Sequence, residues 1–386
     1  GRGSAAPPPR PISLVFSPHG ISYAHLAPWA SGHLVAEAAL PLTALLHGRA
    51  LEAHALWSAM AKPDPAGQAP QARWLTFQNF GGEPELTFSA SPVSAAETLA
   101  HVVSACGGAS RVGFEAAHVT VLEHERQRSA FGAGVSLVPR VGVVESGRRS
   151  KDDHEIALIE RACSIADAAL AEVAPMLADP PPGLTEAEVR NRLEMRMREL
   201  GASGPSYETI VATGPVNAAL PHHRPTATVI ERGHTVVIDV GALVDGYHSD
   251  MTRTFVVGEP STRQREWYEL VLAAQLAGLA AVRPGVTGAE LDAACREVIA
   301  AAGMADLFVH GTGHGVGLLI HEDPYANRVS DAVLQVGDVV TVEPGVYRGD
   351  FGGIRIEDLV VVTSDGCRVL TTSPKDSPCP PSPPTT

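Results

Sequence analysis

Four short runs in the first third of the chain carry strand-like patterns: "ISLVF" (12–16), "WLTFQNF" (74–80), "ELTFSAS" (85–91) and "RVGFEA" (111–116). Rich in β-branched and aromatic residues and bounded by turn formers, each predicts a strand. Gly81-Gly82-Glu83-Pro84 predicts the turn joining the second to the third. With helical stretches near 34–60, 95–106 and 117–131, residues 11–145 read as a small mixed α/β domain. "ESGRRSKDD" (145–153) is polar throughout, and residues 146–155 read as a linker. Helical periodicity resumes at once: Ile156, Ile159, Cys163, Leu170, Val173 and Leu177 share one stripe, with Asp152 or Asp153 placed to cap it.

The second half repeats itself. "PGLTEAEVRNRLEMRMRELGA", from Pro182, and "PGVTGAELDAACREVIAAAGM", from Pro284, share Pro, Gly, Thr, Ala, Glu and a terminal Gly at an offset of 102. Each predicts a turn, a Thr N-cap and an amphipathic helix stopped by glycine. Thr185 with Glu188 and Thr287 with Glu290 match the capping box. "GHTVVIDVG" (233–241) then lines up with "GDVVTVEPG" (337–345) at an offset of 104, so that Asp239 falls on Glu343. Each half therefore places one carboxylate inside an apolar strand. Burying a lone ionised carboxylate is costly unless something pairs with it.

Partners for these acids can be read from the turns. Asp245-Gly246 is a hairpin signal. A turn there puts Asp239 opposite position 252, with Asp250 diagonally adjacent on the same face. The second half offers Glu343 and, beyond a turn around 349–353, Glu357; His314 in "GTGHGVGL" is the natural fifth member. Two unit charges about 4 Å apart repel by about 4 kcal/mol at an effective dielectric of about 20, so four converging carboxylates need cations. Two divalent ions would balance the charge, and an oxygen-rich set with one imidazole suits Mn, Co, Zn or Fe.

Bulk properties narrow the classes. The chain has 386 residues, enough for two domains, and a net charge of −14, which disfavours nonspecific binding to nucleic acid or an anionic membrane. Cys106, Cys163, Cys295, Cys367 and Cys379 form no CxxC pair and read as reduced thiols of a cytoplasmic protein. No apolar run approaches transmembrane length, and the start shows no signal-like region. Gly1–Ser4 reads as a cloning remnant. The proline-rich end, 373–386, predicts a disordered tail.

Taken together, "DVG…SDMTRTF", "HGTGHGVGL", "VEPGVY" and "GIRIED" resemble the pita-bread metallopeptidases, which include Xaa-Pro dipeptidase (prolidase), Xaa-Pro aminopeptidase and methionine aminopeptidase. The resemblance spans roughly residues 150–370. It implies an α/β (α+β) architecture in which a pita-bread catalytic domain with pseudo-twofold symmetry, 156–372, follows a creatinase-like α/β domain. It implies two divalent metals, manganese foremost with Co or Zn as alternatives, held by Asp239, Asp250, His314, Glu343 and Glu357, with Asp250 and Glu357 bridging. His222 and His321 match histidines that contact substrate or handle protons, and His310 matches one of the Xaa-Pro branch. Many family members carry a Tyr at the position of Val244, where it supports a ligand carboxylate. The valine leaves that support unaccounted for.

The expected reaction is hydrolysis of the Xaa-Pro bond of proline-containing dipeptides by a metal-bridging hydroxide. Glu343 would move the proton, His222 would face the developing oxyanion, and His310, His321, Tyr347 and Arg355 would line the pocket. A dipeptidase must also grip the proline carboxylate, for which Arg224, Arg328 and Arg355 are candidates. Alternatives are an Xaa-Pro aminopeptidase acting on longer peptides, a metal-free creatinase-like hydrolase and a non-catalytic binding member. Family precedent further implies a homodimer.

Overall fold

The computed structural model describes residues 111–381, and the backbone of the strands at 12–17, 20–24, 73–80 and 83–90. The chain divides into two units, Gly1–Arg148 and Arg149–Thr386.

In the first unit, strands β1 (Ile12–Ser17), β2 (Gly20–Ala24), β3 (Arg73–Phe80) and β4 (Glu83–Ala90) form an antiparallel sheet of order β2-β1-β3-β4. Pairing of β3 with β4 runs to Phe80↔Glu83. The expected hairpin is present, but Glu83 and Pro84 belong to the strand. Strand β5 (Arg111–Glu115) pairs in parallel with β6 (Ser136–Arg140) across helix α1 (Val121–Phe131), which the Thr120 hydroxyl caps. The helices expected near 34–60 and 95–106 lie outside the described residues.

The expected linker is structured. Helix α2 (Val143–Arg149) runs through its first part. Charges that made it read as a linker are paired: Arg149 Nη2 lies 2.7 Å from Asp338, and Lys151 Nζ lies 2.6 Å from Glu322, both of the latter pair buried. Asp152 then opens helix α3 (Asp153–Val173) with a complete capping box to Glu155.

The second unit holds the repeat. Its first half comprises α3, helix α4 (Glu186–Glu199), strands β7 (Gly204–Pro205) and β8 (Ile210–Thr213), helix α5 (Gly214–Asn217), and strands β9 (Thr235–Asp239), β10 (Ala242–Val244), β11 (Tyr247–His248) and β12 (Thr252–Val256). Its second half comprises helices α6 (Thr262–Ala281) and α7 (Gly288–Ala301) and strands β13 (Gly313–Gly315), β14 (Glu322–Ala326), β15 (Val339–Val342), β16 (Gly345–Arg348), β17 (Gly352–Arg355), β18 (Asp358–Val362) and β19 (Cys367–Val369).

Both predicted capping boxes are present, at Thr185/Glu188 and Thr287/Glu290. The repeat extends into the backbone. Glu186 and Ala187 N–H groups donate to Thr228 and Thr226 carbonyls, as Gly288 and Ala289 donate to Ala332 and Ser330. Each half builds its own core. Leu170, Leu193, Val236 and Ile238 belong to one, and Val271, Leu291, Val342 and Val360 to the other. A smaller cluster, containing Ile159, Tyr247, Val316 and Leu359, joins side chains from both.

Of the tail expected to be disordered, residues 373–381 are ordered, and 382–386 lie outside the described residues. Ser373 donates to Asp167, and its carbonyl accepts from Arg253. Lys375 Nζ pairs with Asp358, and the Pro378 carbonyl accepts from Val256 N–H. Composition hid this because the anchors are backbone groups, the Ser373 hydroxyl and one lysine rather than apolar side chains.

Candidate metal centre

The hairpin geometry follows the sequence. Asp245 and Gly246 both have positive φ and form the turn between β10 and β11, and Asp239 pairs opposite Thr252. In the second half, β15 pairs with β18 in the register Val342↔Asp358, which brings Glu343 and Glu357 to the same end of the ladder. The glycines flanking His314 serve packing rather than phosphate binding. A Cβ on Gly313 would meet the Thr341 carbonyl at 2.0 Å, and one on Gly315 would meet the Asp323 carbonyl at 2.4 Å. Only glycine lets β13 lie this close to its neighbours and deliver His314 to the centre.

Asp250, His314 and Glu357 offer ligand atoms that all lie within 4.8 Å of one another, and all three residues are buried. Glu343 joins them, its Oε1 3.5 Å from His314 Nε2, the distance that also separates Nε2 from Asp250 Oδ2. His314 Nδ1 donates to the Gly315 carbonyl, which leaves the Nε2 lone pair facing the carboxylates. Burial, then the neighbouring His321, holds the His314 pKa down to about 4, so the imidazole is neutral and competent as a ligand.

Asp239 sits at the rim of this group. Its Oδ2 accepts from Arg355 at 2.6 Å, and its Oδ1 accepts from the Tyr207 hydroxyl. The same hydroxyl lies 2.5 Å from Asp250 Oδ1. Burial, then Asp239 and Asp250, pushes the Tyr207 pKa up, so it stays a donor. Tyr207 was missed in the sequence. Its signal was position: it lies just before β8, whose Ile210 pairs with Asp239. It also supplies the supporting hydroxyl that Val244, packed in the core, cannot.

The donor set fits divalent cations. Burial, followed by repulsion from other acids, raises the Asp250 and Glu357 pKa values well above the carboxylate range. Burial also raises that of Glu343 to about 8, against the lowering influence of Arg355. Without a counter-cation these acids cannot all be ionised together. A cation satisfies them at once.

The pocket above the acids is a cavity of about 290 Å³ lined by His222, His310, His314, His321, Arg355 and Tyr325 among others. Of the residues expected to hold metal, handle protons or line the pocket, all except Tyr347 line it, whereas the carboxylate candidates Arg224 and Arg328 do not. Tyr347 stands behind, its hydroxyl 2.9 Å from both His310 Nε2 and Arg355 Nη1. His310 is held neutral, at about 3, by burial and then by Arg355. Among the described residues neither His222 nor His321 has a hydrogen-bond partner, although His321 packs edge-on to His314 with ring centroids 4.3 Å apart.

The profile of metallopeptidase family M24 matches residues 157–364, more than half of the chain. The chain belongs to metallopeptidase family M24. Within the family it is 44% identical over 234 residues to Xaa-Pro dipeptidase of Pyrococcus furiosus, a match covering 61% of this chain and 66% of that protein. Among solved structures it is similar to Xaa-Pro dipeptidase from Bacillus anthracis (37% identity, TM-score 0.71), over 81% of this chain and 90% of that one. X-Pro aminopeptidase from Thermotoga maritima (36% identity, TM-score 0.69) matches over 76% and 82% of the two chains. The family match and the Asp250–His314–Glu357 cluster support use of divalent metal by this M24 chain.

Proposed function

We propose that this chain is a metal-dependent Xaa-Pro dipeptidase holding two divalent ions, manganese foremost. The convergence of Asp250, His314 and Glu357 beneath a pocket lined by histidines carries the reading. Asp239, Asp250, His314, Glu343 and Glu357 would hold the ions. When bound, such ions polarise a carbonyl and lower the pKa of a coordinated water. The remaining work falls to side chains. Glu343 takes the proton that the attacking water gives up and passes it to the proline nitrogen, which must gain one as the carbonyl C–N bond breaks. His222, partner-free at the pocket wall, donates to the oxygen where negative charge develops. His321 and His310 line the approach. Arg355 and Tyr347 hold Asp239 and His310 in place.

The proline carboxylate of a dipeptide needs a cation, and the surroundings of the three candidates support one of them. Arg355 spends its guanidinium on Asp239, Tyr347, Thr252 and the Pro221 carbonyl. Arg224 is exposed and pairs with Glu208 at 2.7 Å. Arg328 has no partner among the described residues. It lines an open cleft of about 540 Å³ that shares His310, Gly311 and Asn327 with the catalytic pocket. We assign the carboxylate to Arg328. Arg328→Ala is expected to raise KM for Ala-Pro about tenfold and leave kcat within about twofold, the pattern of lost ground-state binding. An unchanged KM would remove Arg328 from the site.

Hydrolysis of Ala-Pro and Ala-Pro-Ala before and after exhaustive chelation tests the whole reading. Loss of Ala-Pro cleavage on chelation and its return with Mn²⁺ are expected, with the tripeptide a poor substrate. Efficient tripeptide cleavage would make the protein an Xaa-Pro aminopeptidase instead. Activity untouched by chelation would point to metal-free chemistry.

A further inference from the structure

Behind the pocket wall, Glu186 forms a hydrogen-bonded cluster that the site described above does not include. This first residue of α4 is fully buried, and its carboxylate accepts five hydrogen bonds. Oε1 accepts from the Thr213 N–H at 2.8 Å and from Asn217 Nδ2 at 3.0 Å. Oε2 accepts from His223 Nε2, the Thr226 N–H and the Thr226 hydroxyl, each at 2.9 Å. The helix N-terminus favours negative charge at this point. The carboxylate therefore ties the end of β8 and helix α5 to the segment 223–226.

The chain between those anchors carries Pro221 and His222. His222 lines the catalytic pocket, and the Pro221 carbonyl accepts from Arg355 at 3.1 Å. Consecutive residues thus divide the work. His223 turns back to Glu186, while the His222 imidazole, with no hydrogen bond among the described residues, reaches the pocket. Nothing on the ring itself fixes its place, so its position is inherited from the backbone on either side.

Comparison with the second half isolates what the carboxylate adds. The backbone bonds that dock the returning chain onto α4 have equivalents on α7. The residue equivalent to Glu186 is Gly288, where a Cβ would meet the Tyr325 carbonyl at 2.1 Å. On that side the backbone itself closes on the helix start. On the His222 side the gap is spanned by a side chain, and docking depends on its charge and hydrogen bonds.

We propose that Glu186, acting through His223 and Thr226, is a positioning residue that holds His222 against the pocket. This rests on His222 acting on substrate, as proposed above, and a double-mutant cycle separates the two claims. Wild type, Glu186→Gln, His222→Ala and the double variant are loaded with Mn²⁺, their metal content is measured, and kcat and KM are determined on Ala-Pro. Glu186→Gln replaces one acceptor oxygen by a donor. It is expected to lower kcat by about 10-fold to 100-fold, in line with misplacement of a reacting group, with metal content unchanged and KM within about threefold. In the His222→Ala background the same substitution should change kcat by less than about twofold, because the group it positions is gone. Equal effects in both backgrounds would overturn the inference and assign Glu186 to general stability. Loss of metal in Glu186→Gln would overturn it in favour of a route through the metal centre. A His222→Ala variant with the kcat of wild type would sink the role of His222 itself, whatever Glu186 does. If Glu186→Gln does not fold, His223→Leu, which removes one of the five donors, takes its place in the same cycle with the same criteria.

Discussion

Asp250→Asn is expected to abolish metal-dependent hydrolysis while leaving the metal-free protein at least as stable as wild type. Asp250 belongs to the three-residue cluster and also faces Tyr207. An amide cannot supply the charge that a divalent ion requires. Metal affinity should fall by more than the roughly 10-fold to 100-fold typical of lost supporting residues, and activity should fall with it. Stability moves the other way. Burial, followed by Asp239 and Glu343, penalises the Asp250 carboxylate in the folded chain. A neutral amide removes that penalty. Calorimetry should therefore show Asp250→Asn melting at or above the metal-free wild type and without the rise that Mn²⁺ gives the wild type. A variant that binds Mn²⁺ as wild type does would contradict the assignment. Asp239→Asn is expected to lose metal as well, but Arg355 then faces an amide, so its metal-free stability should not gain.

The second large effect concerns pH. Glu343 has its folded-state pKa raised from 4.5 to about 8, chiefly by burial, and Asp250 and Glu357 move in the same direction. A carboxyl with a raised folded pKa binds its proton more tightly when folded. It contributes full stability below its unfolded value, and that contribution is lost as pH rises through the folded value. The metal-free protein should therefore lose stability steadily from about pH 5 to pH 8. A tenfold change in proton affinity corresponds to about 1.4 kcal/mol, and about 1 kcal/mol moves the midpoint of a domain of this size by about 2–4 °C. A fall of about 5 °C or more between pH 6 and pH 8 is expected for the chelated protein. Saturating Mn²⁺ should remove it, because cations replace the protons. Parallel pH profiles with and without metal would show that these acids are not the ligands.

Much of this site was legible in the sequence because two of its acids sit on a repeat. Asp239 and Glu343 aligned before any geometry was known, and Asp245-Gly246 gave the register that places Asp239 opposite Thr252. Backbone rules with little freedom, capping boxes and a two-residue turn, carried that information. Tyr207 was not legible, because a tyrosine ahead of a strand has no local pattern that marks its hydroxyl as a partner of two distant acids. Glu186, an unassigned position between the capping residues Thr185 and Glu188, was not legible, since its partners lie 27 to 40 residues away. The polar segment 145–153 was read as linker because charge looks the same whether water or a distant acid satisfies it. Arg149 and Lys151 find Asp338 and Glu322 only after the chain has closed.

The two separate cores of the catalytic unit bear on how such a chain can be divided. Asp239 and Asp250 belong to one half, His314, Glu343 and Glu357 to the other, and the connection at Gly258–Ser261 lies between them. A nick in that connection would leave two fragments, each with an apolar centre of its own and neither with the full donor set. Uptake of manganese by the mixed fragments, absent from either alone, would then report their reassembly directly.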